Sequence, residues 1–273
     1  MKNELLLSLL EEVKTLVRHT GIWVHSRQSS VQAHHIDTKF LNNLVTDIDR
    51  ESERRLTDTL LVLLPGCGIM GEEGINNKQG HYTWIIDPLD GTTNFIHGIP
   101  QVAISVALAH GDELLLGVVY EIFQDELFYA AHNAGAFKNG RQIRVSDRTH
   151  LSTTLLSTGL PFYDFSHLRQ YTRALHHFMR HTRGLRRCGS AATDLCYVAC
   201  GRYDGFFEQT LQPWDMAAGI CIIREAGGLC TDFNGENNTL SLKEIIAANP
   251  AIHHLMHTII SSCYNDESPL ETP

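Results

Sequence analysis

Trp84-Ile85-Ile86-Asp87-Pro88-Leu89-Asp90-Gly91-Thr92-Thr93-Asn94-Phe95 carries an apolar run straight into two aspartates three residues apart. A run rich in β-branched and aromatic side chains predicts a buried strand, so both carboxylates are expected at its mouth. Pro88 restricts φ and has no N–H, so the chain should leave the sheet there and let the Leu89 carbonyl turn outward as a third oxygen donor. Gly91 lets the backbone approach an anion closely, and Thr92 and Thr93 can open a helix whose unpaired amides face the same point. Cation donors and anion donors thus fall side by side, the layout that a metal-bridged phosphoryl group needs. Asp90 and Thr92 also suit a plain helix cap. Two aspartates, a proline, a glycine and two threonines at the end of one strand exceed what a turn requires.

On the N-terminal side, Leu6, Leu9, Leu10, Val13, Leu16 and Val17 recur at helical spacing opposite Glu11, Glu12, Lys14 and Arg18, which predicts an amphipathic helix. A second helix is expected from about Asp49, carrying Leu56, Leu60 and Leu63 inward until Pro65-Gly66 stops it. On the C-terminal side, strands are expected over 102–109, 114–120 and 127–131, with Asn139-Gly140 as a hairpin turn, and together they imply an antiparallel sheet. After about residue 150 the rhythm alternates: strand 155–158, helix 166–181, helix 191–200, strand 205–208, helix 215–226, strands 229–232 and 245–248, and a closing helix. We therefore expect one domain over 1–273, with an α+β half at 1–150, an α/β half at 151–265 and a disordered tail at 266–273.

The chain has 273 residues, 43% hydrophobic and 19% charged, and a formal net charge of -9. At this length folding buries roughly three quarters of the surface of the unfolded chain, so no staple is needed and any metal is expected to be functional. No lysine-arginine run appears, and the electrostatic footprint of a nucleic-acid binder is missing. The seven cysteines show no paired CxxC spacing and read as reduced, buried thiols. Residues 1–20 mix Leu with Glu, Lys and Arg, which suits neither a signal peptide nor a membrane span, and the cytoplasm is the expected compartment. The helically spaced pairs His177 with His181 and His253 with His257 raise a zinc reading, but no third ligand follows either pair at sensible spacing, and both segments read as exposed helix faces.

Four stretches in order resemble the inositol monophosphatase family across nearly the whole chain: Asn43-Leu44-Val45-Thr46-Asp47-Ile48-Asp49, Gly71-Glu72-Glu73-Gly74, the stretch quoted first, and Pro213-Trp214-Asp215-Met216-Ala217-Ala218-Gly219. The resemblance implies an α+β fold, a five-layered α-β-α-β-α sandwich of the inositol monophosphatase and fructose-1,6-bisphosphatase type. It implies a phosphomonoester hydrolase holding two or three magnesium ions, with manganese as the alternative. Glu72, Asp87, the Leu89 carbonyl, Asp90 and Asp215 would be the metal ligands. Glu72, Asp49, Asp87 and Thr92 would serve catalysis, with Thr92 orienting the attacking water and Asp49 supporting it. Asp90, Gly91, Thr92, Gly189, Ser190, Ala191, Glu208 and Asp215 would meet the substrate. Lys39 matches a lysine on a mobile loop, although Phe40 and Leu41 follow it where the family usually has small residues.

By the same resemblance the substrate would be myo-inositol monophosphate or a similar polyol phosphate, and relatives act on fructose 1,6-bisphosphate, histidinol phosphate or nucleotide phosphates. A homodimer and inhibition by lithium are also implied. The different-class alternative is an accessory protein that binds transcription machinery, as some bacterial members do. Structural readings stand beside these roles: Glu72 and Glu73 could be a solvated acidic turn, and Asp49, Asp215 and Ser190 could cap helices. Taken together, carboxylates about 5 Å apart repel by roughly 3 kcal/mol per pair at an effective dielectric near 20, so four of them must take up protons or bind cations. All-oxygen donors select magnesium or manganese over zinc.

Overall fold

The computed structural model describes residues 1–30, 36–40, 43–77, 80–161, 164–237 and 243–265. The predicted tail at 266–273 lies outside the described residues. The first apolar stripe becomes α1 (Asn3–Arg27), which buries Leu6, Leu9, Leu10, Val13, Val17 and Val24. α2 (Asp47–Leu63) buries Leu56 and Leu60 and starts with a capping box, in which Thr46 accepts from Ile48 N and Asp49 accepts back from Thr46 N.

Between these helices lies an antiparallel pair, β1 (Ile36–Phe40) and β2 (Asn43–Thr46). Eight strands form the first sheet: β3 (Gly68–Gly71), β4 (Asn76–Asn77), β5 (Tyr82–Asp90), β6 (Ala103–His110), β7 (Glu113–Glu121), β8 (Glu126–Ala131), β9 (Gly135–Lys138) and β10 (Arg141–Gln142). Their spatial order is β10-β9-β8-β7-β6-β5-β3-β4. Asn139 and Gly140 join the last two with φ of 47° and 80°, as the Asn-Gly signal predicts.

The second sheet has the order β12-β11-β13-β15-β14, with β11 (Leu155–Thr158), β12 (Gly184–Arg186), β13 (Gly205–Gln209), β14 (Leu229–Thr231) and β15 (Glu244–Ala248). β12, β11 and β13 run parallel, and β15 and β14 close the sheet antiparallel. The remaining helices are α3 (Thr92–His97), α4 (Leu168–His181), α5 (Ala191–Ala199), α6 (Pro213–Glu225) and α7 (Pro250–Asn265).

The elements stack as α-β-α-β-α. α1 and α2 cover one face of the first sheet, α5 and α6 lie between the sheets, and α4 and α7 cover the far face of the second. The middle layer explains its own sequence: every residue of α5 is buried, as is α6 from Met216 to Ile223, because a helix between two sheets has no solvent face. Three apolar cores fill the gaps between layers, with Val13 and Trp84 in the first, Leu195 and Ile220 in the central one and Phe178 and Phe207 in the last.

Three expectations are corrected. β5 does not end before Pro88; it continues to Asp90 through a bulge, with Asp87 opposite Ser105 and Asp90 opposite Ala103. The missing N–H of Pro88 falls where the ladder is already interrupted, and Ser52 Oγ donates to its carbonyl at 2.8 Å. All seven cysteines are free thiols as expected, but Cys188, Cys200 and Cys263 are only half-buried. His253, read as part of an exposed face, is buried and bonds Thr231 Oγ1 through Nε2, which gives it a structural role. No helix among the described residues is long and apolar enough to cross a membrane.

Candidate active site

The bulge in β5 sets Asp87 and Asp90 on one rim of the first sheet. Asp87 is 1% exposed, and its Oδ1 accepts from Leu89 N at 3.0 Å. Asp90 reaches across to the middle layer, where its Oδ2 accepts from Ser190 Oγ at 2.7 Å and from Ala192 N at 2.8 Å, at the start of α5. Asp215 sits at the third position of α6, and its Oδ2 accepts from Gln212 N at 2.7 Å, completing a capping box. Glu72 follows β3, which runs parallel to β5, and Glu72 N donates to Ile86 O at 3.3 Å. Four distant stretches thus end at one place because two sheets and the buried helix layer between them share an edge there.

Burial pushes the Asp87 carboxyl well above the ordinary range, and the neighbouring charges of Glu72, Asp90 and Asp215 push it further. Asp215 is raised by burial and then by Asp90 and Glu208. Burial also raises Asp90, to about 6, although the bonds from Ser190 and Ala192 oppose the shift. The cluster therefore prefers protons or a counter-cation to bare charge.

Among the described residues no three His, Cys, Asp or Glu side chains meet closely enough to enclose an ion as they stand. Each aspartate turns one oxygen to a protein donor, Asp87 to Leu89 N, Asp90 to Ser190 Oγ and Asp215 to Gln212 N. The donor set is wholly oxygen and electrostatically frustrated, which fits a hard divalent cation. The zinc reading has no such support: His177 and His181 stack with ring centroids 4.3 Å apart, and His181 Nδ1 lies 2.8 Å from His177 O.

Asp49 is 1% exposed, and burial raises its carboxyl to about 6. It holds Thr46 through Oδ2 and faces the site through Oδ1, 3.0 Å from Thr92 Oγ1. Thr92 Oγ1 is equally 3.0 Å from the Leu89 carbonyl, so its single proton has two acceptors and its lone pairs can accept from a third group. Gly91 adopts φ of 94°, and a Cβ there would stand 2.9 Å from Gln101 O and 3.2 Å from Gly189 O. Gly189, Ser190 and Ala191 therefore lie directly beside Asp90 and Gly91. Glu208, at the end of β13, is 8% exposed and is raised to about 8 by burial and then by Asp194. Lys39 falls in β1, and its side chain is not among those described.

Sequence reasoning missed Glu53, Asn94 and Asp194. Glu53 is 1% exposed, and its carboxylate accepts from Glu73 N at 2.6 Å and Ile75 N at 3.0 Å, anchoring the turn that bears Glu72. Gly71 leaves room for it, since a Cβ there would meet the Glu53 carboxylate at 2.7 Å. The available signal was an acid one turn after Asp49 on the face that also carries Ser52 and Leu56 inward. Asn94 Nδ2 donates to Cys188 O at 2.8 Å and Gln101 O at 2.9 Å, tying α3 to the segment before α5. Asp194 is buried in α5, where burial and then Asp90 raise its carboxyl.

A sequence profile of the inositol monophosphatase family matches residues 8–264. The chain is similar to a Rhizobium meliloti protein named inositol-1-monophosphatase, with 40% identity over 260 residues, 94% of this chain and 95% of that one. It is also similar to the Nus factor SuhB of Pseudomonas aeruginosa, with 42% identity over 231 residues, 82% of this chain and 85% of that one. The solved structure of extragenic suppressor protein suhB from Bartonella henselae superposes with a TM-score of 0.89 at 38% identity, covering 93% of this chain and 98% of that one.

Proposed function

This chain belongs to the inositol monophosphatase family, whose members are in general metal-dependent, and on that premise we propose that it hydrolyses the phosphate ester of a small polyol, myo-inositol monophosphate first among them. One observation carries the reading: Asp87, Asp90, Asp215 and Glu72 come together with their charges unbalanced, beside the amide-bearing start of α3.

Phosphate monoester hydrolysis is among the slowest uncatalysed reactions, with accelerations reaching about 10²¹-fold, so charge neutralisation must be strong. Glu72, Asp87, the Leu89 carbonyl, Asp90 and Asp215 would hold two or three magnesium ions. Bound there, the ions would neutralise the phosphate charge and make water a better nucleophile. Gly91, whose missing side chain lets Gln101 O and Gly189 O approach, seats the start of α3 beside Asp90, where the phosphate would lie. Asp49 fixes the Thr92 hydroxyl, which can accept a hydrogen bond from the attacking water, with Glu72 sharing in its activation. Ser190 and Ala192 hold Asp90 in place, and Glu208, with Gly189 to Ala191, would receive the ring hydroxyls of the alcohol. The homodimer implied by the family belongs to this reading, and a molar mass from light scattering tests it.

The test is phosphate release from inositol, fructose, histidinol and nucleotide phosphates, with and without magnesium. We expect magnesium-dependent turnover that is fastest on a polyol monophosphate. Asp90→Asn should lower it by about 10²-fold or more, a loss of the size that metal-site substitutions cause. Magnesium-independent turnover, or a fully active Asp90→Asn, would overturn the proposal. A second reading is favoured by relatives named Nus factors: an accessory role in transcription, alone or beside catalysis. Retention of RNA polymerase on the immobilised chain, with no turnover on any ester, would select it.

A further inference from the structure

A cavity of about 320 Å³ opens at the end of the second sheet remote from the carboxylates, lined by Arg148, Arg183, Arg186 and Arg202 together with Asp204 and Leu155. Its position follows from strand direction. Leu155 pairs with Gly184 and Leu156 with Gly205 where the three parallel strands begin, whereas Thr158 and Glu208 lie where two of them end. Three residues of strand, at about 3.3 Å each, put roughly 10 Å of sheet between this cavity and the candidate active site.

The charges here do not balance. Arg202 gives two parallel bonds of 2.8 Å to Glu126 and lies over the Tyr197 ring, so its head is fixed. Arg148 Nη1 donates to Asp204 Oδ1 at 2.7 Å, and the other oxygen of this buried aspartate accepts from Leu155 N. Arg183 and Arg186 are exposed and have no carboxylate partner among the described residues; Arg186 Nη1 donates only to the Leu185 carbonyl, at 3.0 Å. Two unneutralised guanidinium groups beside two fixed ones, in a chain of net charge -9, are a local excess that an oxyanion would relieve. The planar fork of arginine matches phosphate oxygens in pairs, and small-ligand pockets begin at about 300 Å³.

We propose that this cavity binds the phosphate group of a small phosphorylated molecule, separately from the site of ester hydrolysis. Arg183 and Arg186 grip the oxyanion, Arg148 and Arg202 supply the surrounding field, and the remaining volume over Leu155 admits an organic body. A path back to the carboxylates exists in the chain itself. β12 ends at Arg186, and the chain continues through Arg187 to Ser190, which donates to Asp90.

The experiment is equilibrium binding of inorganic phosphate and of glucose 6-phosphate to the full chain, stripped of divalent ions on a chelating resin. Without cations the carboxylate cluster repels phosphate, so binding does not depend on turnover or on the proposed catalytic metal. Saturable binding is expected, weakened about tenfold or more in the double variant Arg183→Ala, Arg186→Ala, with magnesium-dependent phosphate release unchanged when free phosphate is low. Equal affinity for both probes would mean that the phosphate alone is read; tighter glucose 6-phosphate would mean that the body is read too. Absence of saturable binding by either probe, or undiminished binding in the double variant, overturns the proposal. A double variant that changes only the molar mass in light scattering would instead make the arginines a contact between copies of the chain.

Discussion

Asp49 and Glu53 sit one turn apart on α2, yet they act on different parts of the site. Asp49 faces Thr92, and Glu53 reaches the turn after β3, so one helix face sets both the threonine hydroxyl and the loop that bears Glu72. Glu53 acts through the turn that bears Glu72, which makes it a positioning residue. Glu53→Gln keeps the shape but cannot accept at both oxygens, so Ile75 N or Glu73 N loses its partner. We expect the magnesium concentration for half-maximal phosphate release to rise about 10- to 100-fold, the usual cost of disturbing an outer shell. Stability should fall by about 0.5–1.5 kcal/mol, the net worth of one hydrogen bond at a part-buried amide. A magnesium titration that matches the unaltered chain would refute the assignment.

α6 is the element whose sequence serves two ends. Pro213 starts it, Gln212 and Asp215 form its capping box, and Asp215 is also the acid it carries to the cluster. Asp215→Asn separates these roles, because an amide oxygen can still accept from Gln212 N. The cap survives, and one member of a mutually repelling set disappears. The expected outcome is a metal-free Tm equal to or above that of the unaltered chain, together with loss of magnesium-dependent turnover. If the residue were only a cap, turnover would survive; a large fall in Tm would mean that the charge itself holds the helix. α3 is a contrasting case, since it spans only Thr92–His97 and depends on the close approach of Gly91 to Gln101 and Gly189 rather than on its own propensity.

The layered arrangement as a unit pays an electrostatic cost for gathering acids at the shared edge of its sheets. Asp49 and Asp90 have folded-state values of about 6 against an ordinary 3.8, and Asp87 and Asp215 are raised further. A raised carboxyl favours the folded state only while it remains protonated. The unfolded chain releases these protons first, so stability from Asp49 and Asp90 declines as pH climbs through 3.8 and is gone above about 6. The metal-free protein should therefore have a lower Tm at pH 7 than at pH 5, with most of the loss falling below the folded-state values of about 6. Magnesium at a hundred times its Kd should restore about 2.7 kcal/mol, or roughly 5–10 °C for a chain of this size. The restoration should shrink toward pH 5, where protons compete. Calorimetry at both pH values, with and without magnesium, checks this; a metal-free Tm that rises over the same span would contradict it.

Much of this was already legible in one dimension. Period-3.6 stripes at Leu6 to Val17, apolar runs around 102–131 and the Asn139-Gly140 turn identify helices, strands and a hairpin, because local pattern and turn chemistry act over a few residues, whereas the layered sandwich and the roles of the acids were implied by the resemblance of the four ordered motifs. β12 escaped notice because Gly184-Leu185-Arg186 is too short to show a period, and its pairing with β11 is made only across space. The continuation of β5 past Pro88 escaped for a related reason: a bulge is defined by the partner strand, here Ser105 and Ala103, and not by the bulged residues. Glu53 and the arginine-lined cavity were hidden because burial and charge imbalance are sums over neighbours. Residue order sets which side chains exist and how each segment coils; which charges are left uncompensated emerges only when distant segments are packed together.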